Sequence, residues 1–276
     1  MIVVTYIFLG GLALYGAMLL LVYFLQERFV FQPYRLPPGH QFFFNTGGWQ
    51  EVWLEAEDGT QLNALLFRAP LKEKRKGVIL YLHGNQGNLQ RWAKHQGAFT
   101  RLGYDFFAID YRGYGKSSGR PSESGLYADG EAAYQWLLDR YPEEAIIVYG
   151  RSLGSGVASW LATRRQPRLV ILETPFDNMP NVVRAISRLP IPDAFFRLSF
   201  PNDCHLQQLN CPAVVFAGTR DRVVEYRLSQ RLRPLLAGPE AFITIDGAGH
   251  RNLDTFPKYH YQLEQVLVRF EKGNGG

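Results

Sequence analysis

Apolar positions follow three regimes along the chain. From Val3 to Leu25 no residue is charged, and the first charged side chain is Glu27. At about 1.5 Å rise per residue, a run of this kind crosses a hydrocarbon core of roughly 30 Å and predicts a transmembrane helix. A cleavable signal peptide would have a basic leading segment and a shorter apolar core ending at small residues. Here no Lys or Arg precedes the run, and Leu19-Leu20-Leu21-Val22 continues it past Ala17. A buried soluble helix would be expected to carry polar positions along one side. Residues 1–27 therefore read as a membrane anchor. Residues 28–50 read as an extended linker containing Pro33, Pro37, Pro38 and Gly39.

In the third regime, residues 51–276, short apolar runs alternate with helical patterns. Glu51–Ala56 and Leu62–Phe67, joined by Asp58-Gly59, predict a hairpin. Val78–Leu82 is continuously apolar, as expected of a strand buried on both faces of a parallel sheet. Then come a helix over Leu89–Arg101, a strand over Asp105–Ile109, and a helix over Ser122–Arg140 that stops before Pro142. Ala145–Tyr149 is the next strand, followed by a helix through Ser155–Ala162 and a strand over Leu169–Leu172. Between Thr174 and about Asn210, Pro175, Pro180, Pro190, Pro192 and Pro201 interrupt short amphipathic pieces. The rhythm resumes with a strand at Ala213–Ala217, a helix at Glu225–Leu236, a strand at Phe242–Ile245 and a last helix near Phe256–Lys272. Such alternation implies right-handed crossovers and an α/β domain with a mostly parallel sheet flanked by helices. The irregular stretch, about 174–210, is expected to be a small lid over the carboxyl edge, where such sheets bind ligands.

Composition narrows the function classes. The 276 residues are 46% hydrophobic, enough for one large core. The net charge of +5 is scattered apart from Lys72, Lys74, Arg75 and Lys76, which read as a solvated loop. No basic stripe interleaved with aromatics points to nucleic acid, although a basic balance suits an anionic membrane surface. Cys204 and Cys211 could pair or stay free. They are too few for a zinc site, and without His-Glu-x-x-His neither metal nor cofactor is expected. Arg28 and Arg35 follow the span, which leans the catalytic part toward the cytoplasm. Gly113-Tyr114-Gly115-Lys116-Ser117 imitates the tail of a phosphate-binding loop. However, the position that needs its first glycine is Asp110, and Arg112 and Tyr114 crowd the loop, so nucleotide binding is rejected.

Gly150-Arg151-Ser152-Leu153-Gly154 carries the candidate chemistry. It lies between a strand and a helix, the context of a nucleophile elbow, with glycines on both sides of the serine where the turn is tight. A serine hydroxyl needs a base to take its proton and an acid to orient that base. On this kind of sheet those partners follow in the order acid, then histidine. Asp221, in Gly218-Thr219-Arg220-Asp221, lies just past one strand. His250, in Gly247-Ala248-Gly249-His250, lies just past the next. Asp221 could instead be a helix N-cap, and Asp177 and Asp246 are rival acids. His260 falls inside the last helix, His205 in the lid, and His40 before the domain. Oxyanion donors are expected from the main-chain N–H groups of Leu153 and Asn85. Asn85 belongs to His83-Gly84-Asn85-Gln86-Gly87-Asn88, where His83 is expected to shape the loop.

These stretches, together with Asp110-Tyr111-Arg112-Gly113-Tyr114-Gly115-Lys116-Ser117, resemble the α/β-hydrolase superfamily over about Glu51–Phe270. More narrowly, they resemble membrane-anchored α/β-hydrolase domain-containing proteins, which include serine esterases and protein depalmitoylases. The resemblance implies Ser152 as nucleophile, Asp221 as acid and His250 as base. It departs at the N-terminus. Those depalmitoylases use a cysteine-rich, lipidated segment, whereas this chain has no cysteine before Cys204 and an apolar span instead. The expected function is a membrane-tethered serine hydrolase that cleaves the carboxylic ester or thioester of a small-molecule or lipid-like acyl substrate through an acyl-enzyme. A serine peptidase on the same fold and a catalytically idle membrane scaffold are the alternatives.

Overall fold

The computed structural model of the protein describes residues 1–70 and 75–271. Lys72 and Lys74 of the basic cluster, and Lys272 of the last expected helix, lie outside them. Helix α1 covers Ile2–Val30. The strands of the main sheet are β1 (Trp49–Glu55), β2 (Gln61–Phe67), β3 (Gly77–Leu82), β4 (Tyr104–Ile109), β5 (Ile146–Arg151), β6 (Leu169–Glu173), β7 (Ala213–Gly218) and β8 (Phe242–Ile245). They lie in the order β8-β7-β6-β5-β3-β4-β2-β1. β2 pairs antiparallel with both its neighbours, and every other pairing is parallel. This is the mostly parallel sheet that the alternating pattern predicts.

Each buried strand serves two cores because its side chains alternate faces. Val78, Leu80 and Leu82 of β3 face one core with α2 (Glu123–Leu138) and α3 (Leu153–Arg164). Ile79 and Tyr81 face the other, with Leu89, Trp92, Phe99 and α5 (Pro257–Glu271). Filling both faces explains why β3 and β5 read as uninterrupted apolar runs. The lid's longest helix, α4, covers Met179–Ser187, and Asn178 caps it by accepting the Asn181 N–H at 3.0 Å.

Two expected helices are shorter in the structure. The stretch Leu89–Arg101 divides into Leu89–Trp92, a tighter turn at Ala93–Gln96, and Gly97–Thr100. Gly97 is a poor helix former, and the breaks let Leu89, Trp92, Ala93 and Phe99 all reach one core. The stretch Glu225–Leu236 is helical only over Tyr226–Gln230, followed by a tighter turn at Arg233–Leu235. Pro234 lacks the N–H that a longer helix would use.

The sheet opens a crevice where chain order reverses. From β3 the chain moves outward to β4, then returns across β3 to β5 and continues to β6. The carboxyl ends of β3 and β5 therefore diverge into connections on opposite sides, which is where such sheets place ligands. The proline-rich segment after α1 is tied to this edge. Gln32–Pro33 pairs in parallel with Gln86–Gly87, and the Leu36 N–H donates to the Gly115 carbonyl at 2.8 Å.

Helix α1 also docks on the lid. The Gln26 side chain is buried. Its Oε1 accepts the N–H groups of Arg197 (2.8 Å) and Leu198 (3.0 Å), and its Nε2 donates to the Phe195 carbonyl at 3.2 Å. Tyr15 donates its hydroxyl to the Pro190 carbonyl, and Glu27 pairs with Arg197 at 3.2 Å. Replacing Gln26 by Leu would strand three main-chain groups, at about 1–3 kcal/mol for each one left unpaired. Amide hydrogen exchange on full-length Gln26→Leu should show Arg197 and Leu198 exchanging faster than in the wild type. Unchanged exchange there would contradict this role for Gln26.

Candidate active site

Ser152 sits between β5 and α3 at φ 52° and ψ −116°, a backbone state that a side chain rarely adopts and that costs on the order of 1–3 kcal/mol. Its surroundings hold it there. The Ser152 N–H donates to the Glu173 carbonyl at 2.9 Å. A Cβ on Gly154 would overlap the carbonyl oxygen of Leu82, so α3 can begin this close to β3 only with glycine. The Ser152 hydroxyl is thereby lifted over the crevice between β3 and β5.

The loops after β7 and β8 converge on it. His250 Nε2 lies 2.9 Å from Ser152 Oγ, and His250 Nδ1 lies 2.7 Å from Asp221 Oδ2. The other oxygen of Asp221 accepts the N–H groups of Val223 and Val224, each at 2.9 Å. Asp221 thus caps its own turn and meets the imidazole at once, so the cap and the acid are compatible roles. The two loops are joined to each other. Arg220 N–H donates to the Ala248 carbonyl at 2.8 Å, and Gly247 N–H donates to Thr219 Oγ1 at 2.9 Å. A side chain at Gly218 would collide with the Ala248 carbonyl.

The rival residues are engaged elsewhere. Asp177 accepts from Asn181 Nδ2 and from Arg231 Nη1, the latter at 2.8 Å. Asp246 is exposed, 3.9 Å from Lys258 Nζ. His260 Nε2 donates to the Asp254 carbonyl at 2.6 Å, His205 Nδ1 meets Ser159 Oγ at 2.9 Å, and His40 meets Gln90 at 3.2 Å. Cys204 and Cys211 are both free thiols.

Leu153, the first residue of α3, has no helical acceptor for its N–H. Asn85 lies opposite, across the same cavity as Ser152. Its carbonyl accepts the Gln32 N–H (3.1 Å) and the Tyr114 hydroxyl (2.9 Å), and its Nδ2 donates to the Val30 carbonyl at 3.0 Å. No acceptor among the described residues takes its main-chain N–H. His83 is wholly buried beneath this loop. Its Nδ1 is 2.7 Å from the Gly84 carbonyl, and its Nε2 is 3.5 Å from Asp110. Burial pushes the Asp110 carboxyl up from its ordinary range.

Two openings meet at Ser152. The larger, about 420 Å³, runs between α1 and α4 and is lined mostly by apolar side chains, with Gln26, Gln32, Asn85, Ser152 and Ser187 among them. The smaller, about 40 Å³, lies on the His250 side with Arg91 and Arg251 at its rim.

The sequence reading missed a buried polar ladder beneath the elbow. Arg151 extends from the elbow to within 3.4 Å of Glu173 Oε1, and it also lies 3.4 Å from the His250 carbonyl and from His95 Nε2. Tyr149 donates its hydroxyl to Glu173, and Tyr259 reaches the same carboxylate at 3.4 Å. Burial, followed by the Arg151 charge, holds His95 below the usual imidazole range. The only sequence signals were an arginine inside the glycine-flanked turn and a glutamate ending an apolar strand.

Residues 77–188 match the family described as alpha/beta hydrolase fold. An uncharacterized protein of Mycobacterium tuberculosis is 33% identical over 207 residues, covering 74% of this chain and 73% of that protein. Alpha/beta hydrolase domain-containing protein 17B of Homo sapiens is 32% identical over 198 residues, covering 70% of this chain and 66% of that protein. Among solved structures, an esterase of Pyrococcus furiosus superposes with a TM-score of 0.67 at 20% identity, covering 87% of this chain and 99% of that one.

Glu173→Ala would leave the buried guanidinium of Arg151 uncompensated, at about 3–5 kcal/mol. Denaturant unfolding of Glu173→Ala should show that loss. The double variant Arg151→Met/Glu173→Gln, which removes both charges of this pair, should recover most of it. Equal losses in the two variants would show that the ion pair is not the cause.

Proposed function

The chain belongs to the α/β-hydrolase family, and on that premise we propose that it is a membrane-tethered serine hydrolase that cleaves carboxylic ester or thioester bonds. The observation that carries this reading is the continuous Asp221–His250–Ser152 hydrogen-bonded chain, with both links under 3 Å. It ends on a serine held in a strained turn beside a large apolar cavity. Asp221 accepts a hydrogen bond from Nδ1–H and so keeps the lone pair of His250 on Nε2. Nε2 takes the hydroxyl proton as Ser152 Oγ bonds to the substrate carbonyl carbon. The N–H groups of Leu153 and Asn85 then meet the oxygen that gains charge. His250 returns the proton to the departing alkoxide or thiolate, leaving the acyl group on Ser152. Water, giving a proton to the same Nε2, attacks that acyl carbon; the bond to Ser152 Oγ then breaks and Nε2 returns the proton to Oγ, restoring the serine.

Tethering is supported by α1, which has 29 residues and carries no charged side chain before Glu27. Of the two arginines after the span, Arg35 donates to the Gly119 carbonyl at 2.7 Å, and Arg28 lies in the last turn of α1. Its position supports a catalytic domain on the cytoplasmic side.

A fluorophosphonate probe should label the wild type, and Ser152→Ala should abolish the labelling. Against a short-chain ester, His250→Ala should lower kcat/KM by at least about 10³-fold and Asp221→Asn by about 10³- to 10⁴-fold. Asp246→Asn, on the surface, should stay within about twofold. Persistent labelling of Ser152→Ala, or equal ester hydrolysis by wild type and His250→Ala, would overturn the proposal.

A further inference from the structure

The first 14 residues of the chain are exposed on every side. From Tyr15 onward a stripe of α1 is covered by the catalytic domain, at Tyr15, Met18, Leu19, Val22 and Gln26. The uncharged apolar run continues to Leu25, well past Tyr15, so the turns that dock on the domain are themselves suited to hydrocarbon. The lid segment that meets Tyr15 through Pro190 then lies at the depth of the near leaflet. Of its exposed side chains, Ile186 (64%) and Leu189 (39%) offer apolar surface to the hydrocarbon, while Arg188 and Asp193 beside them suit the headgroup layer.

The cavity that begins at Ser152 opens toward this place. Val22 and Phe29 of α1 form one side, and Met179, Val183 and Ile186 of α4 form the other. The floor is the elbow, with Ser152, Leu153 and Asn85. The one polar side chain that α1 contributes to this wall, Gln26, is taken up by the lid backbone. A mostly apolar channel of this kind offers little to a polar head group. It suits a hydrocarbon chain whose carbonyl end reaches Ser152 while its tail runs back along α1.

Resting on the serine-hydrolase reading above, we infer that α1 is a wall of the acyl-binding site as well as a tether. The substrate is accordingly a long-chain acyl ester or thioester that enters sideways from the bilayer, between α1 and α4. Val22, Phe29 and Ile186 are specificity-determining residues at that gate. The leaving group departs through the smaller opening beside His250, on the aqueous side.

The test uses the full chain in phosphatidylcholine vesicles and a hexadecyl fluorophosphonate with a diazirine at the chain end. Ser152 Oγ displaces fluoride from phosphorus, its proton passing to His250, so the alkyl chain is fixed in the site. Irradiation should then cross-link the chain end to peptides from Val22–Val30 or Met179–Ser187. Labelling of Ser152 with cross-links to neither helix would overturn the inference and leave the hydrolase reading standing. Failure to label Ser152 would overturn the hydrolase reading, and the inference with it. A second measurement uses Val22→Trp and Ile186→Trp, which narrow the gate from opposite sides. The ratio of kcat/KM for a hexadecanoyl ester to that for an acetyl ester should fall about tenfold in each. An unchanged ratio in both would contradict the assignment.

Discussion

The start of α3 passes so near the end of β3 that only a glycine fits at position 154, and most of the site follows from that contact. A helix this close to the sheet forces the residue before it into a left-handed turn, and Ser152 occupies that turn. The same approach brings the first N–H of α3 beside the loop after β3, where Asn85 waits. The serine hydroxyl and the two candidate oxyanion donors therefore share one geometric cause. Strain at Ser152 persists because the Glu173 carbonyl and the Leu82 backbone hold both sides of the turn, so relaxation would mean separating strands buried in two cores.

The remaining groups come from the far side of the sheet, and they too depend on close backbone approach. Gly218 lets the β8 loop lie against the β7 loop, and this brings His250 onto Asp221. Arg151 adds a link at right angles to that one. Lying next to the serine, it reaches toward the carbonyl of His250 and pairs with Glu173 at the end of β6. The elbow, the base loop and the neighbouring strand thus share one buried guanidinium. A buried charge of this kind is weak evidence for stability but an effective register device, since only one arrangement compensates it.

The sheet was readable because each strand is an apolar run bounded by turn residues, and a strand buried on both faces needs no further code. Ser152, Asp221 and His250 were readable because glycines mark the turns that present them. The Arg151–Glu173 ladder left no such trace, since polar residues at strand ends look the same whether they meet water or each other. The broken helix over Leu89–Thr100 was missed because its apolar spacing fits a continuous helix until Gly97 turns it. The docking of α1 was hidden for a different reason. A helix that is apolar all round has no preferred face in its sequence, and only Gln26, a polar residue near its end, hinted at a protein partner.

One small contact changes what the N-terminal segment is. The side chain of Asn85, which lines the cavity at Ser152, is held by the carbonyl of Val30, the last residue of α1. Phe31, immediately after it, is part of the main core. A chain that began only after Phe31 would therefore lose a prop from the Asn85 loop and a plug from the core together. The end of α1 is thus no detachable leash but one of the pieces from which the candidate site is folded.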